Sequence, residues 1–233
     1  MFFRFSHLHL EFQAEDPLYF PPHKAANTLR GALLTILTTP TPFVFRARHL
    51  DGRTFQPGEP FYFDLHLFSA VQNQITQAFE TLAHQGFGPT RSHAQLLRAT
   101  TEPITLDLSP DPSAPHQIRV DFLTPTELKH HNQIAARPEF PILFARVRHR
   151  ISTLSAAAIQ LERPDIHMTR CEIQRQHIER RSTRTGQTHS IGGFVGFAEY
   201  SGDFPEFLPY LKAAQWTGVG RHVVWGNGEI AVC

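Results

Sequence analysis

The order in which apolar periodicities follow one another constrains this chain more than any single residue does. Residues 2–12 alternate, with Leu8, Leu10 and Phe12 on one side and Phe3, Phe5, His7 and His9 on the other, which is the period of a strand. Prolines between Pro17 and Pro22 interrupt it. A helix is predicted over 23–38, where Ala25, Ala26, Leu29, Ala32, Leu33 and Ile36 make one broad apolar face. Strands follow at 43–48 and 60–68, a second helix at 70–84, and strand-like segments at 93–100 and 103–108. Strand, helix, strand, strand, helix, strand is the ferredoxin-like order.

The stretch from Pro110 to Pro115 is short and rich in turn formers, and reads as a linker. Beyond it the order repeats: strand 117–123, helix 139–160, strand 166–180, a polar turn at 183–188, strand 191–200, helix 204–214 and strand 222–232. The expected fold class is therefore α+β, two tandem ferredoxin-like (RRM-like, βαββαβ) modules. The expected domains are residues 1–112 and a C-terminal module, 113–233, that carries a glycine-rich loop. A chain of 233 residues can bury a core in each.

That loop runs from Trp216 to Ile230 and holds two Gly-x-Gly units, Gly218 with Gly220 and Gly226 with Gly228. Arg221 and His222 follow the first unit. Glycine admits positive φ and close approach of a backbone to a ligand, and successive amides in such a turn can converge on an anion. Arg221 adds a fork suited to phosphate. A tight structural connection between a helix and a last strand explains the same glycines. The spacing is neither a dinucleotide fingerprint, since Val stands at 223, nor a P-loop. A carboxylate introduced at Gly220 is expected to weaken anion binding while the fold survives.

Charge points the same way. The net charge is only +1, yet the 22 basic residues include 19 Arg. Residues 146–184 carry 9 Arg against 4 acids. Arg146 and Arg150 are one helical turn apart and either flank a groove or pair with acids such as Glu162 and Asp165. Arg180, Arg181 and Arg184 cluster at the predicted hairpin. Arg both clamps phosphates and stacks on bases.

Several classes are disfavoured. No apolar run approaches the ~20 residues of a membrane span. The N-terminus alternates like a strand and lacks a signal-peptide block, so a cytoplasmic protein without membrane partners is expected. Cys171 and Cys233 support neither a disulfide framework nor a four-ligand zinc site. His7 and His9 share a strand face without an evident third ligand. No metal and no cofactor are expected.

The glycine loop, lying between a short helix and a last strand, resembles that of the RAMP superfamily. The segments around it are similar, in order, to the CRISPR repeat-processing endoribonucleases. They are Arg181, Ser182 and Arg184, then Gly192, Gly193 and Gly196, then Tyr200 to Asp203, then Phe207 to Leu211. Upstream, Phe122 to Thr126 with Leu128 and Lys129, then Phe140 to Arg146, and Thr28 to Leu33 near the N-terminus, also resemble that family. The resemblance implies an RNA-binding enzyme that cuts repeat transcripts without a metal, by attack of a ribose 2′-hydroxyl on the adjacent phosphate. RNA would be held by Gly218, Gly220, Arg221, His222, Gly226 and Gly228, and by Arg180, Arg181 and Arg184. Such chemistry needs a base, an acid and cations. Tyr19, His23 and Lys24 supply those residue types at the start of the first helix, and His222 is a second histidine candidate. The implied partners are CRISPR repeat RNA and a multi-subunit CRISPR effector complex. Two rivals remain at this point: a non-catalytic RNA-binding subunit of such a complex, and a ferredoxin-like module with no RNA role.

Overall fold

The computed structural model describes residues 1–33, 42–88, 90–131, 133–162, 164–181 and 188–233. They divide into two units. One comprises Arg4–Thr105 with Val224–Gly226, and the other Met1–Phe3, Leu106–Val223 and Asn227–Cys233.

The N-terminal elements are β1 (Phe2–Ala14), β2 (Leu18–Tyr19), α1 (Ala25–Leu33), β3 (Phe43–Arg46), β4 (Thr54–Phe55), β5 (Pro60–Leu67), α2 (Gln72–Gln85) and β6 (Ala94–Asp107). Four of them form a sheet of order β3-β5-β1-β6. The alternation of β1 sets the antiparallel register, pairing Leu8 with Leu65, Leu10 with Phe63 and Phe12 with Phe61. These six side chains share one buried cluster with Leu29 and Leu33 of α1 and Ile75 and Phe79 of α2. Both helices therefore cover one face of the sheet. Phe12 stacks on Phe61 and Phe63 with ring centroids 5.4 and 5.6 Å apart. Burying each such ring contributes about 1.5–3 kcal/mol.

The C-terminal elements are β7 (Gln117–Thr126), β8 (Lys129–His130), β9 (Gln133–Ile134), α3 (Phe140–Ser155), β10 (Ile166–Gln176), β11 (Glu179–Arg181), β12 (Thr188–Ser190), β13 (Gly193–Gly202), α4 (Leu208–Thr217) and β14 (Ile230–Val232). The main sheet runs β10-β13-β7-β14. Phe140, Leu143, Phe144, Val147 and Ile151 form the buried stripe of α3. Phe140 meets Tyr200 edge-on at 5.3 Å, and the Tyr200 hydroxyl donates to the Pro138 carbonyl at 2.6 Å. The two modules are thus ferredoxin-like, as the element order implies.

Three expectations about elements are corrected. The segments expected at 93–100 and 103–108 are one edge strand, Ala94–Asp107, because an edge position tolerates Pro103. The helix expected to reach residue 160 ends at Ser155, where Ala156 turns into the left-handed region with φ +51°. The last strand begins at Ile230, because His222, Gly226 and Gly228 all take positive φ and Val223–Trp225 form a short 3-10 turn. The part of the first helix expected beyond Leu33 lies outside the described residues. No helix among them is long and apolar enough to cross a membrane.

Candidate nucleic-acid interface

Helix α3 carries two stripes. The apolar one faces the core, and Arg146, His149, Arg150 and Thr153, spaced by three and four residues, form another. With Lys129, Gly220 and Arg221 these four residues line a cavity of about 340 Å³. Arg150 is held there by Nε donating to the Thr217 carbonyl at the end of α4, 3.4 Å away. Arg146 Nε is buried and donates to no acceptor among the described residues. Asp165, one of the acids that could have paired with these arginines, instead lies 3.3 Å from His167. Of the two readings of Arg146 and Arg150, the groove is the one the geometry supports. A second cavity of about 520 Å³ lies along the same helix, between Arg148 and residues 158–161, and shares Arg146 and His149 with the first. The two form a cationic band along α3 that attracts anions and concentrates the local field.

The glycine loop is pinned from inside. Gly218 N donates to Ala214 O, Val219 N to Gly228 O, Arg221 N to Glu127 O and Gly228 N to Pro125 O, all at 2.9–3.1 Å. Those four amides are engaged by protein carbonyls. Gly218, Gly220, Gly226 and Gly228 have φ between +66° and +83°. A Cβ at Gly228 would stand 2.0 Å from the Val219 carbonyl oxygen, and one at Gly226 would stand 2.7 Å from the Cβ of Ala26. Close packing of the protein on itself accounts for these glycines. What the loop offers a ligand is the surface at Gly220 and the guanidinium of Arg221, which pairs with Glu127. His222 is mostly buried, its Nε2 3.9 Å from the same carboxylate. The Arg30 guanidinium lies over the Trp225 ring, 5.3 Å from its centroid.

Arg180 and Arg181 lie in β11, opposite His189 and Thr188 of β12. Arg184 lies outside the described residues. Tyr19 stands opposite Thr54 in β2 and is 48% exposed. His23, with φ +58°, and Lys24 are exposed in the turn before α1. The amides of Lys24 and Ala25 both donate to Asp51 Oδ1, at 3.0 and 2.9 Å. Burial raises the Asp51 carboxyl above its ordinary range, opposed by the Ala25 amide and by nearby His23. His149, Thr153 and Asp51 were not among the expected site residues. The stripe on α3 could have supplied two of them. Asp51 shows in the sequence only as part of the turn at Asp51 and Gly52, with no sign that it meets Lys24 and Ala25.

Residues 120–230 match the family model described as the CRISPR-associated endoribonuclease Cas6. Over that segment, just under half of the chain, the sequence is similar to the Cas6 family. A second model, described as an N-terminal domain, matches residues 36–110. No curated protein matches the chain. Among solved structures, a Cas6 product complex is 17% identical with a TM-score of 0.65, over 99% of each chain. Thermus thermophilus Cas6 is 13% identical with a TM-score of 0.62, over 100% of this chain and 99% of that one. A chain of a Cas6-RT-Cas1–Cas2 complex is 13% identical with a TM-score of 0.63, over 99% of this chain and 46% of that one. At these identities the structural likeness concerns the fold. Every residue lining the two cavities on α3 falls inside the Cas6-matched segment, whereas Tyr19, His23 and Lys24 fall outside both matched segments.

Proposed function

We propose that this chain belongs to the Cas6 family, binds CRISPR repeat RNA and cuts it without a metal ion. The ribose 2′-oxygen attacks the adjacent phosphorus and the 5′-oxygen leaves, giving a cyclic phosphate and a 5′-hydroxyl. The observation that carries the reading is the cavity lined by Lys129, Arg146, His149, Arg150, Thr153, Gly220 and Arg221 inside the segment that matches the family. Its cations suit phosphates of a single strand, and Arg146 Nε brings a buried donor without an acceptor among the described residues.

In this proposal residues 113–233 grip the RNA and residues 1–112 supply the acid–base groups. His23 takes the 2′-hydroxyl proton, Tyr19 donates to the leaving oxygen, and Lys24 offsets charge on the phosphate. Repeat RNA is the first partner. A multi-subunit CRISPR assembly is the second, in keeping with a relative solved as part of a Cas6-RT-Cas1–Cas2 complex.

The test is incubation of the purified protein with its repeat RNA in EDTA. One site-specific cut ending in a cyclic phosphate is expected, and His23→Ala should abolish it while leaving affinity within about twofold. The family resemblance implies a histidine near the end of the first helix, and none stands between Lys24 and His49, which favours the second reading, a non-catalytic RNA-binding subunit. Tight binding with no cut by the wild type would select it.

A further inference from the structure

The N-terminal sheet has a second face. Since Leu8, Leu10 and Phe12 of β1 and Phe61, Phe63 and Leu65 of β5 face the helices, alternation turns His7, His9 and Glu11, and Tyr62, Asp64 and His66, to the other side. β1 and β5 are the two central strands.

At one end of this face the rings are arranged in a stack. His49 lies on Tyr62 with centroids 4.4 Å apart and planes 25° from parallel. His9 flanks Tyr62 at 5.2 Å and 37°. Hydrogen bonds fix the orientation of these rings. His49 Nε2 is 2.8 Å from the Tyr62 carbonyl, which can only accept, so that nitrogen carries the proton. Asp64 Oδ1 accepts from His9 Nδ1 at 2.7 Å and from His7 Nε2 at 3.0 Å. The group remains reachable, for Tyr62 is 46% exposed and His49 is exposed.

From this geometry we infer that the His9–Tyr62–His49 stack is a stacking platform for a nucleobase of single-stranded RNA, separate from the cationic cavity on α3. Three features select that ligand. The rings are flat and held in place before any ligand arrives, so little ordering cost is left for binding. Glu11, the cross-strand partner of Tyr62, suits the amino edge of a base and repels a phosphate. His9 and Tyr62 occupy the two central strands of a ferredoxin-like sheet, on the face opposite α1 and α2, where such sheets can stack bases, and His49 joins them from the 3-10 turn at Arg48–Leu50. Among the described residues no three His, Cys, Asp or Glu side chains are set to hold a metal, so His7, His9 and Asp64 form a hydrogen-bonded support for the stack.

The inference rests on the reading that the chain binds RNA. Its test is titration of repeat RNA against the wild type, Tyr62→Ala and Tyr62→Phe over a range of salt concentrations. Stacking on one aromatic contributes ~1–3 kcal/mol, so Tyr62→Ala should weaken binding about 5- to 150-fold. It should do so without changing the slope of log affinity against log salt, because a stacked base releases no counterions. Tyr62→Phe should bind within about twofold of the wild type. Should Tyr62→Ala fail to fold, His49→Ala removes the neighbouring exposed ring and is read the same way. Wild-type affinity in the alanine variant, or an equal loss in Tyr62→Phe, would overturn the platform alone. Failure of the wild type to bind repeat RNA would overturn the proposed function and the platform together.

Discussion

Gly220 has φ +82°, and a Cβ built there would stand 2.4 Å from the Glu127 carbonyl oxygen. The sequence suggested that Gly220→Asp would weaken anion binding and leave the fold alone. Both the collision and the positive φ argue otherwise. Backbone strain of this kind costs about 1–3 kcal/mol before the contact with Glu127 is counted. Gly220→Asp should therefore lower the urea midpoint of the C-terminal module, and a loss of RNA binding in that variant would not report on the loop's chemistry. Arg146→Ala is the cleaner probe, because Arg146 is half-buried at the cavity and its Nε leaves no acceptor behind among the described residues. The importance of the glycines was legible in the sequence, but the reason for it was not. The carbonyl that excludes a side chain at 220 belongs to Glu127, 93 positions earlier along the chain, and no local pattern carries that information.

At the scale of elements, periodicity located the strands and helices, and the interruptions escaped it. β1 announces itself by alternation and α3 by its apolar stripe. The stop of α3 at Ala156 and the start of the 3-10 turn after His222 depend on positive φ at residues whose side chains give no warning. The start of α1 is set from outside the helix, by Asp51 accepting from the amides of Lys24 and Ala25. Asp51→Ala should cost about 1 kcal/mol, the usual loss for a helix cap, whereas Asn keeps an acceptor and should cost less. The pH dependence has a definite sign. Burial raises the Asp51 pKa in the folded state, so the folded protein holds that proton more tightly than the unfolded chain does. The stability this confers is fully present below the ordinary aspartate range and is lost as pH rises through the raised value. Denaturation of the wild type and Asp51→Asn across that window should show the wild type losing ground as pH rises. A constant gap between the two would mean the carboxyl is not perturbed.

Over the whole molecule the formal charge is only +1, so RNA affinity has to come from where the cations stand. The chain keeps two kinds of arginine. Arg119 and Arg170 flank the Phe197 ring at 3.7 and 5.2 Å, and each pairs with a carboxylate, Asp121 and Glu172 respectively. Their charge is offset within the protein. Lys129, Arg146 and Arg150 line the cavity on α3, and Arg221, which also lines it, pairs with Glu127. Each phosphate neutralised on a single strand contributes about 0.7 to the slope of log affinity against log salt. Lys129→Ala and Arg146→Ala should each flatten that slope by about this amount and weaken binding at low salt. Arg119→Ala should leave the slope unchanged, and Arg221→Ala should flatten it by less than Arg146→Ala, because Glu127 already offsets its charge. Filter-binding titrations across a salt series would separate these cases. If Arg119→Ala flattened the slope as much as Arg146→Ala, the RNA would be held by diffuse charge and the cavity would lose its special standing. If only the cavity variants did so, a nearly neutral molecule would be gripping a polyanion through one helix face, which is the arrangement the stripe of Arg146, His149 and Arg150 predicts.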